Sequence, residues 1–252
     1  MTGDSPLVVL GCRVDAVDAS SAAETITSWI RQGRPAHVVT LGAEMATLAA
    51  RDDAYRAAIN GADLVVPDTV GIVWASRVLR RPLHERVAGI DLVERILRES
   101  PPASIRLFIL GAAAGVAESA AQALGGAFQS VVICGMHHGY FDRDHDAELA
   151  NVIRASGARL VLVGMGFPLQ EVWIRQNFQT LGDAVCIGVG GALDVWAGRV
   201  TRAPASWRRA GLEWFYRLVR EPARLRRQLA LPRFAALVLA QALRERGANQ
   251  AR

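Results

Sequence analysis

The feature that most limits what this chain can fold into is a series of short segments that are apolar rather than alternating, each followed by a stretch of helical character. Residues 7–10, 37–41, 63–66, 105–110, 130–134, 160–163 and 185–189 read as strands. A strand with one wet face alternates apolar and polar residues, whereas one that is apolar on both sides must be covered on both. Between these strands the spacing predicts helices over 19–31, begun by Asp18 or Ser20, then over 43–51 and over 53–60, closed by Gly61. Further helices are predicted from Gly71 to Leu79 and over 92–98, 115–124, 144–155 and 168–178. Strands of this kind separated by helices describe an α/β fold, a Rossmann-like doubly wound parallel sheet, over residues 1–198. Residues 199–252 form a basic helical C-terminal appendage to that body.

Charge separates the same two parts. Residues 199–252 carry 13 Arg against three acids, net +10, while residues 1–198 carry 16 Arg against 21 acids, net −5. A basic segment on an acidic body implies an anionic partner for the segment. Because every basic residue is Arg, the choice of Arg over Lys at any one position carries no information. With 252 residues, 51% of them hydrophobic, the chain can bury one substantial core. It contains no run of about 18 uncharged apolar residues and no signal-peptide pattern at its start, so a cytoplasmic location and no membrane span are expected. Cys12, Cys134 and Cys186 are odd in number and far apart, in or beside apolar runs, and read as reduced core residues.

The chemistry-bearing positions fall at the ends of the predicted strands. Asp68 follows the strand at 63–66 and precedes a helix, where open parallel sheets bind ligands and where a carboxylate also serves as a helix cap. Glycines follow other strands: Gly111 and Gly115, Gly135, Gly164 and Gly166, and Gly188, Gly190 and Gly191. Turns of this kind before helices can assemble backbone N–H groups into a site for a nucleotide diphosphate. None has the G-x-G-x-x-G spacing of a dinucleotide fold, which counts against NAD or FAD. Tyr140 is placed to stack on a base, and the adjacent His137 and His138 lack the spacing of metal ligands. Asp142-Arg143-Asp144 spells the D-x-D of metal-binding transferases but leads directly into a predicted helix, which favours capping. In the basic segment, Arg217, Arg220, Arg224 and Arg227 recur every three or four residues beside Trp207, Trp214, Phe215 and Leu218. That pattern suits a membrane interface and equally a solvated face packed on the body.

The chain resembles the WecG/TagA/CpsF family of bacterial glycosyltransferases over nearly its whole length. The resemblance is carried by Val39-Thr40-Leu41-Gly42-Ala43-Glu44-Met45, Pro67-Asp68 within residues 62–71, and Glu85-Arg86-Val87-Ala88-Gly89-Ile90-Asp91. It continues through His138-Gly139-Tyr140-Phe141, Gly164-Met165-Gly166-Phe167-Pro168-Leu169-Gln170-Glu171, Gly188 through Asp194, Arg202-Ala203-Pro204, Leu212-Glu213-Trp214, Tyr216-Arg217-Leu218 and Glu221-Pro222. It implies an inverting, metal-independent transferase without cofactor. Such an enzyme moves N-acetylmannosamine or an acidic relative from a UDP-sugar donor to a polyprenyl-diphosphate-linked sugar acceptor, for wall teichoic acid, enterobacterial common antigen or exopolysaccharide. It would work as a peripheral protein on the anionic inner face of the cell membrane, with no nucleic-acid partner; whether it forms a homo-oligomer is left open.

By motif, Asp68 corresponds to the catalytic base, Thr40 to its active-site neighbour and Gln170 to a contact in the sugar-nucleotide pocket. Arg86, Gly111, Gly135, Tyr140, Gly164, Gly166, Glu171, Gly190 and Asp194 join Gln170 as substrate-binding candidates. Arg217, Arg224 and Arg227 correspond to arginines that close over the site at the membrane and meet the acceptor diphosphate. Three positions depart from the family's usual residues: Gly42 for Asn, Thr69 for Gly and Leu169 for Lys. They leave the identity of the donor sugar open. A non-enzymatic membrane- or nucleic-acid-binding protein would account for the basic segment but not for Asp68 together with the glycine turns. A nucleotide-dependent oxidoreductase would account for the sheet but not for the missing dinucleotide pattern.

Overall fold

A computed structural model of the chain describes residues 7–204, 206, 207, 215, 216 and 230–250. In chain order the first half contains β1 (Leu7–Val9), β2 (Cys12–Val14), α1 (Ala19–Gln32), β3 (Ala36–Leu41), α2 (Ala43–Ala49), α3 (Asp53–Asn60), β4 (Leu64–Pro67), α4 (Val70–Val78) and α5 (Gly89–Glu99). The second half contains β5 (Ile105–Gly111), α6 (Val116–Ala127), β6 (Val131–His137), α7 (Asp146–Ala155), β7 (Leu160–Gly164), α8 (Leu169–Leu181), β8 (Val185–Gly188), α9 (Ala192–Trp196) and α10 (Ala230–Gln250). Six strands form one parallel sheet in the order β4-β3-β8-β7-β5-β6.

The lack of polar alternation in the strands is explained by what covers them. Val38, Val66, Leu107, Leu162 and Ile187 point into a core under α1, α5, α6 and α9. Their neighbours point the other way: Val39, Leu41 and Val65 into a core with α2, α3, α4 and α10, and Leu110, Val161 and Val163 into one with α7 and α8. Successive side chains on a strand alternate faces, so a sheet with helices on both sides needs apolar residues at both parities. Local signals set several helix starts. Asp18 accepts the Ser21 N–H at 2.7 Å to begin α1, and Asp52 accepts the Tyr55 N–H at 2.9 Å to begin α3.

The structure departs from the sequence reading at several boundaries. Residues 7–10 are one arm of an antiparallel hairpin with β2, reversed at Leu10 and Gly11, both with positive φ. A Leu in that conformation gives no turn signature, which hid β2. The helix predicted from Asp144 starts at Asp146, preceded by a 3-10 turn at Arg143–His145 in which Asp142 accepts the Asp144 N–H at 3.1 Å. The first carboxylate of the D-x-D sequence is thus a cap. β6 runs on to His137, so Gly135 lies inside the strand and not in a turn after it. Among the described residues no helix is long and apolar enough to cross a membrane.

The strand order creates a switch point. From β3 the chain steps outward to β4 at one edge; from β5 it steps to β6 at the other, and β7 and β8 then fill the middle. Beyond its carboxyl end β3 leads to α2 on one face, while its neighbour β8 leads to α9 on the opposite face. Diverging connections open a crevice there, the usual ligand site of an open α/β sheet.

Candidate active site

A cavity of about 650 Å³ occupies that crevice. Its described lining comes from the carboxyl ends of β3, β4 and β8 and the turn after β7: Thr40, Asp68, Gly190 and Gly166 among others. The first residues of α2, α4, α5 and α9, namely Ala43, Val70, Gly89 and Ala192, also line it. Helix N-termini carry partial positive charge, so their convergence on one cavity favours an anionic group within it. Arg86 adds a full positive charge, and Asp68 and Glu44 contribute carboxylates.

Asp68 is held from two directions. Its backbone N–H donates to the Leu41 carbonyl at 3.0 Å, which fixes the turn after β4, and its Oδ1 accepts the N–H of Gly89, the first residue of α5, at 2.7 Å. This bond explains why α5 begins three residues before the predicted Leu92: Asp68 serves its first turn from another loop. Thr40 sits against Gly89, where a Cβ would lie 2.8 Å from Thr40 Cγ2, and its hydroxyl donates to the Gly188 carbonyl at 2.8 Å. Thr40 therefore spans the switch point, joining the helix that holds Asp68 to the turn after β8. Gln170 lies across the cavity, and its Oε1 accepts the Gly190 N–H at 3.0 Å.

Two of the three unusual positions prove to be neighbours. Gly42 is the N-cap of α2 and offers no side chain, and Thr69 Oγ1 accepts the Ala43 N–H at 3.2 Å in its place. A Cβ on Gly42 would lie 3.3 Å from Thr69 Cγ2, so the space is already shared. Leu169 is 51% exposed and does not line the cavity.

The cavity brings together Thr40, Asp68, Arg86, Gly166, Gln170 and Gly190. The other described candidates lie outside its lining. Gly111 and Gly164 face each other across β5 and β7; a Cβ on Gly111 would reach the Gly164 backbone at 2.5 Å, and one on Gly164 would meet Leu193 Cδ1 at 2.5 Å. Gly135 lies against the Phe108 ring where the β5–β6 register shifts. These three glycines permit close packing of strands and helices. Tyr140 is 79% exposed on the loop after β6, and Asp194 belongs to α9, its carbonyl accepting the Arg199 and Val200 N–H groups. Glu171 is fully buried behind Gln170. Arg217, Arg224 and Arg227 lie outside the described residues.

The sequence reading did not single out Glu44, Trp74 and Phe234, all of which line the cavity. Glu44 lies in the first turn of α2, past its Gly42 cap, whereas Asp68 precedes the Thr69 cap of α4, so a reading of strand ends reaches Asp68 and not Glu44. Phe234, 2% exposed on α10, packs its ring 6.4 Å from that of Trp74 on α4, so the C-terminal helix closes one side of the cavity. Arg202 is tied to the body by its guanidinium, which makes two bonds to Asp91 in the first turn of α5, at 2.7 and 2.6 Å.

Burial sets the ionisation of Glu171, Tyr55, Cys12 and Cys186. The Glu171 carboxyl is pushed up to about 7 by burial, partly offset by hydrogen bonds from Gln170 and Tyr55. The Tyr55 hydroxyl is raised by burial and then by the Glu171 charge. The Cys12 and Cys186 thiols are pushed up to about 12 by burial, as expected of inert core residues.

Residues 7–248 match the family model described as glycosyl transferase WecG/TagA/CpsF family, and the chain belongs to that glycosyltransferase family. It is similar to the N-acetylglucosaminyldiphosphoundecaprenol N-acetyl-beta-D-mannosaminyltransferase of Bacillus spizizenii, 34% identical over 226 residues that cover 90% of this chain and 87% of the relative. Proteins of the same name from Bacillus subtilis (33% identical, covering 84% of this chain and 82% of the relative) and Staphylococcus aureus (36%, covering 78% and 77%) are also similar.

Proposed function

We propose that the cavity transfers a sugar of the N-acetylmannosamine type, or a uronic acid, from a UDP-sugar to a sugar carried on a polyprenyl diphosphate, with inversion at the anomeric carbon. The observation that carries this reading is Asp68: a carboxylate in the switch-point cavity, its orientation fixed by a helix N–H at 2.7 Å. The names of the relatives support the acceptor class and the sugar.

The reaction is a single in-line displacement. The acceptor hydroxyl oxygen attacks the anomeric carbon, its proton passes to Asp68, and the bond from that carbon to the UDP oxygen breaks, releasing UDP. General-base assistance of this kind contributes about 10²–10⁴-fold in rate. The leaving diphosphate gathers charge where Arg86 and the helix N-termini converge. Neither Asp142 nor Asp144 lines the cavity, which supports transfer without a D-x-D metal site.

Residues 199–252 act in this reading as an appendage that brings the 1–198 body to the inner face of the membrane, with Arg217, Arg224 and Arg227 meeting the acceptor diphosphate. The net charge of +10 on that segment and the exposure of Leu239 and Leu243 on α10, 50% and 67%, support contact with an anionic bilayer.

The test is a chelator-treated assay of UDP release, with prenyl-diphosphate-linked N-acetylglucosamine as acceptor and a panel of UDP-sugars. Release with an N-acetylmannosamine-type or uronic donor is expected. UDP binding without release from any donor would overturn the acceptor assignment, and failure to bind UDP would overturn the transferase site itself.

A further inference from the structure

Behind the cavity wall lies a carboxyl group that the transfer step does not use. Glu171 is fully buried and does not line the cavity, so it does not touch what the cavity holds. Its Oε1 accepts from Gln170 Nε2 at 2.6 Å and its Oε2 accepts the Tyr55 hydroxyl at 3.2 Å. Gln170 in turn accepts the Gly190 N–H through Oε1 at 3.0 Å. The chain of contacts runs from α3 through α8 to the turn after β8.

The direction of the Gln170 amide follows from chemistry. A backbone N–H can only donate, so the amide oxygen must face Gly190, and the nitrogen must then find an acceptor in a dry setting. The two ends of a carboxamide are nearly the same size, and only their partners decide which way it turns. Glu171 supplies the acceptor that makes one orientation favourable. Turned the other way, the amide would set its NH₂ against the Gly190 N–H, donor against donor. β8 is shaped around the pair: a Cβ on Gly188 would lie 2.7 Å from Gln170 Nε2 and 3.0 Å from Glu171 Oε1. The turn from Gly188 to Gly191 is thereby gripped twice, by Thr40 at the Gly188 carbonyl and by Gln170 at the Gly190 N–H.

We propose that Glu171, backed by Tyr55, is a positioning residue that orients the Gln170 amide and so holds the Gly188–Gly191 turn in the shape that binds the donor nucleotide. Its relevance to the donor rests on the reading of the cavity given above. The role needs an acceptor at Oε1 and not a negative charge. An amide at 171 can do the same, its oxygen accepting from Gln170 and its NH₂ donating to the Tyr55 oxygen. An apolar side chain of similar length cannot.

The experiment compares full-length wild type, Glu171→Gln and Glu171→Met by amide exchange at Gly190, thermal midpoint, UDP affinity, and KM and kcat for the donor. In Glu171→Met, Gly190 exchange is expected to rise and UDP and donor binding to weaken, each about tenfold, the scale of one lost hydrogen bond, with kcat within about threefold. The thermal midpoint of Glu171→Met should also fall, because the Gln170 amide and the Tyr55 hydroxyl are left as buried donors without an acceptor, so exchange and binding are compared well below it, where every variant is folded. Glu171→Gln should restore exchange and KM to within about threefold of wild type. Tyr55→Phe, which removes only the hydroxyl behind the carboxyl, should shift Gly190 exchange in the same direction by a smaller factor. Unchanged Gly190 exchange and KM in a folded Glu171→Met protein would overturn the proposal. Equal loss in the Gln and Met variants would do so too, by assigning the effect to charge, and if Glu171→Met does not fold, unchanged exchange in Tyr55→Phe decides against it. Gly190 exchange requires no ligand, so these outcomes stay separate from failure of wild type to bind UDP, which would count against the reading of the cavity.

Discussion

The carboxyl edge of the sheet has two halves that look alike in sequence and do different work. On the β3, β4 and β8 side, strand-end residues open into the cavity: Thr40, Asp68 and Gly190 line it, and Gly190 has φ +49 with no neighbour closer than Gln170 Oε1 at 3.9 Å to a built Cβ. On the β5, β6 and β7 side, Gly111, Gly164 and Gly135 are closed in by backbone, by Leu193 and by the Phe108 ring. A glycine after a strand allows a left-handed turn, an exposed N–H or a close approach, and the letters do not distinguish these uses. The difference lies in what meets the strand ends. Beyond β3 and β8 the connections diverge and the first residues of α2 and α9 stand back to line a cavity, whereas β5 also sends α6 to the face opposite α7 and α8 and there backbone, Leu193 and the Phe108 ring close the gap.

Substitutions on the two sides should separate activity from stability. The largest effect is expected from Asp68→Asn, which should lower turnover by about 10²–10⁴-fold while UDP affinity stays within about threefold, measured by UDP release and calorimetric titration. Gly164→Ala drives a Cβ to 2.5 Å from Leu193 Cδ1 and 2.8 Å from the Gly190 carbonyl. Overpacking of this kind costs about 1–3 kcal/mol, roughly 2–4 °C of thermal midpoint per kcal/mol for a chain this size. A Gly164→Ala protein that keeps its thermal midpoint, or an Asp68→Asn protein that loses midpoint but keeps turnover, would be the reverse of what the comparison requires.

Glu171→Gln sharpens the contrast through pH. Its folded carboxyl is raised from 4.5 to about 7, so the folded protein holds a proton that the unfolded chain releases between those values. Wild-type stability should therefore fall relative to Glu171→Gln as pH rises from about 4.5 to about 7, by at most about 1.4 kcal/mol per pH unit, and stay level above. Thermal melts across that range check the sign; a stability difference that ignores pH would contradict the burial argument. The smallest effect is expected from Gly166→Ala. Nothing lies within 4 Å of its built Cβ, so only the φ of +75 resists the change, at about 1 kcal/mol.

Much of the site was legible because strand ends in a covered parallel sheet are predictable from apolar runs, and Asp68, Thr40 and Gly190 all sit there. Three kinds of feature were not. Hairpin strand β2 was hidden by a turn through Leu10, a residue with no turn preference. The closing of the cavity by Phe234 depends on α10 docking against α4, a contact between residues more than a hundred positions apart that no local pattern encodes. The place of Glu171 behind Gln170 follows from helix phase: adjacent residues of α8 point in different directions, one to the cavity and the other to Tyr55. The motif named both residues and could not tell which lined the cavity.

Every role proposed for these residues requires the nucleotide to bind in the cavity at the β3–β8 switch point. Hydrogen exchange of the full chain with and without saturating UDP tests this most directly. Slowed exchange at residues 166–170 and 188–192, with residues 111–115 and 135–140 unchanged, is the predicted result. Protection confined to 111–115 and 135–140 would put the nucleotide over the other half of the sheet and contradict the assignment of the site.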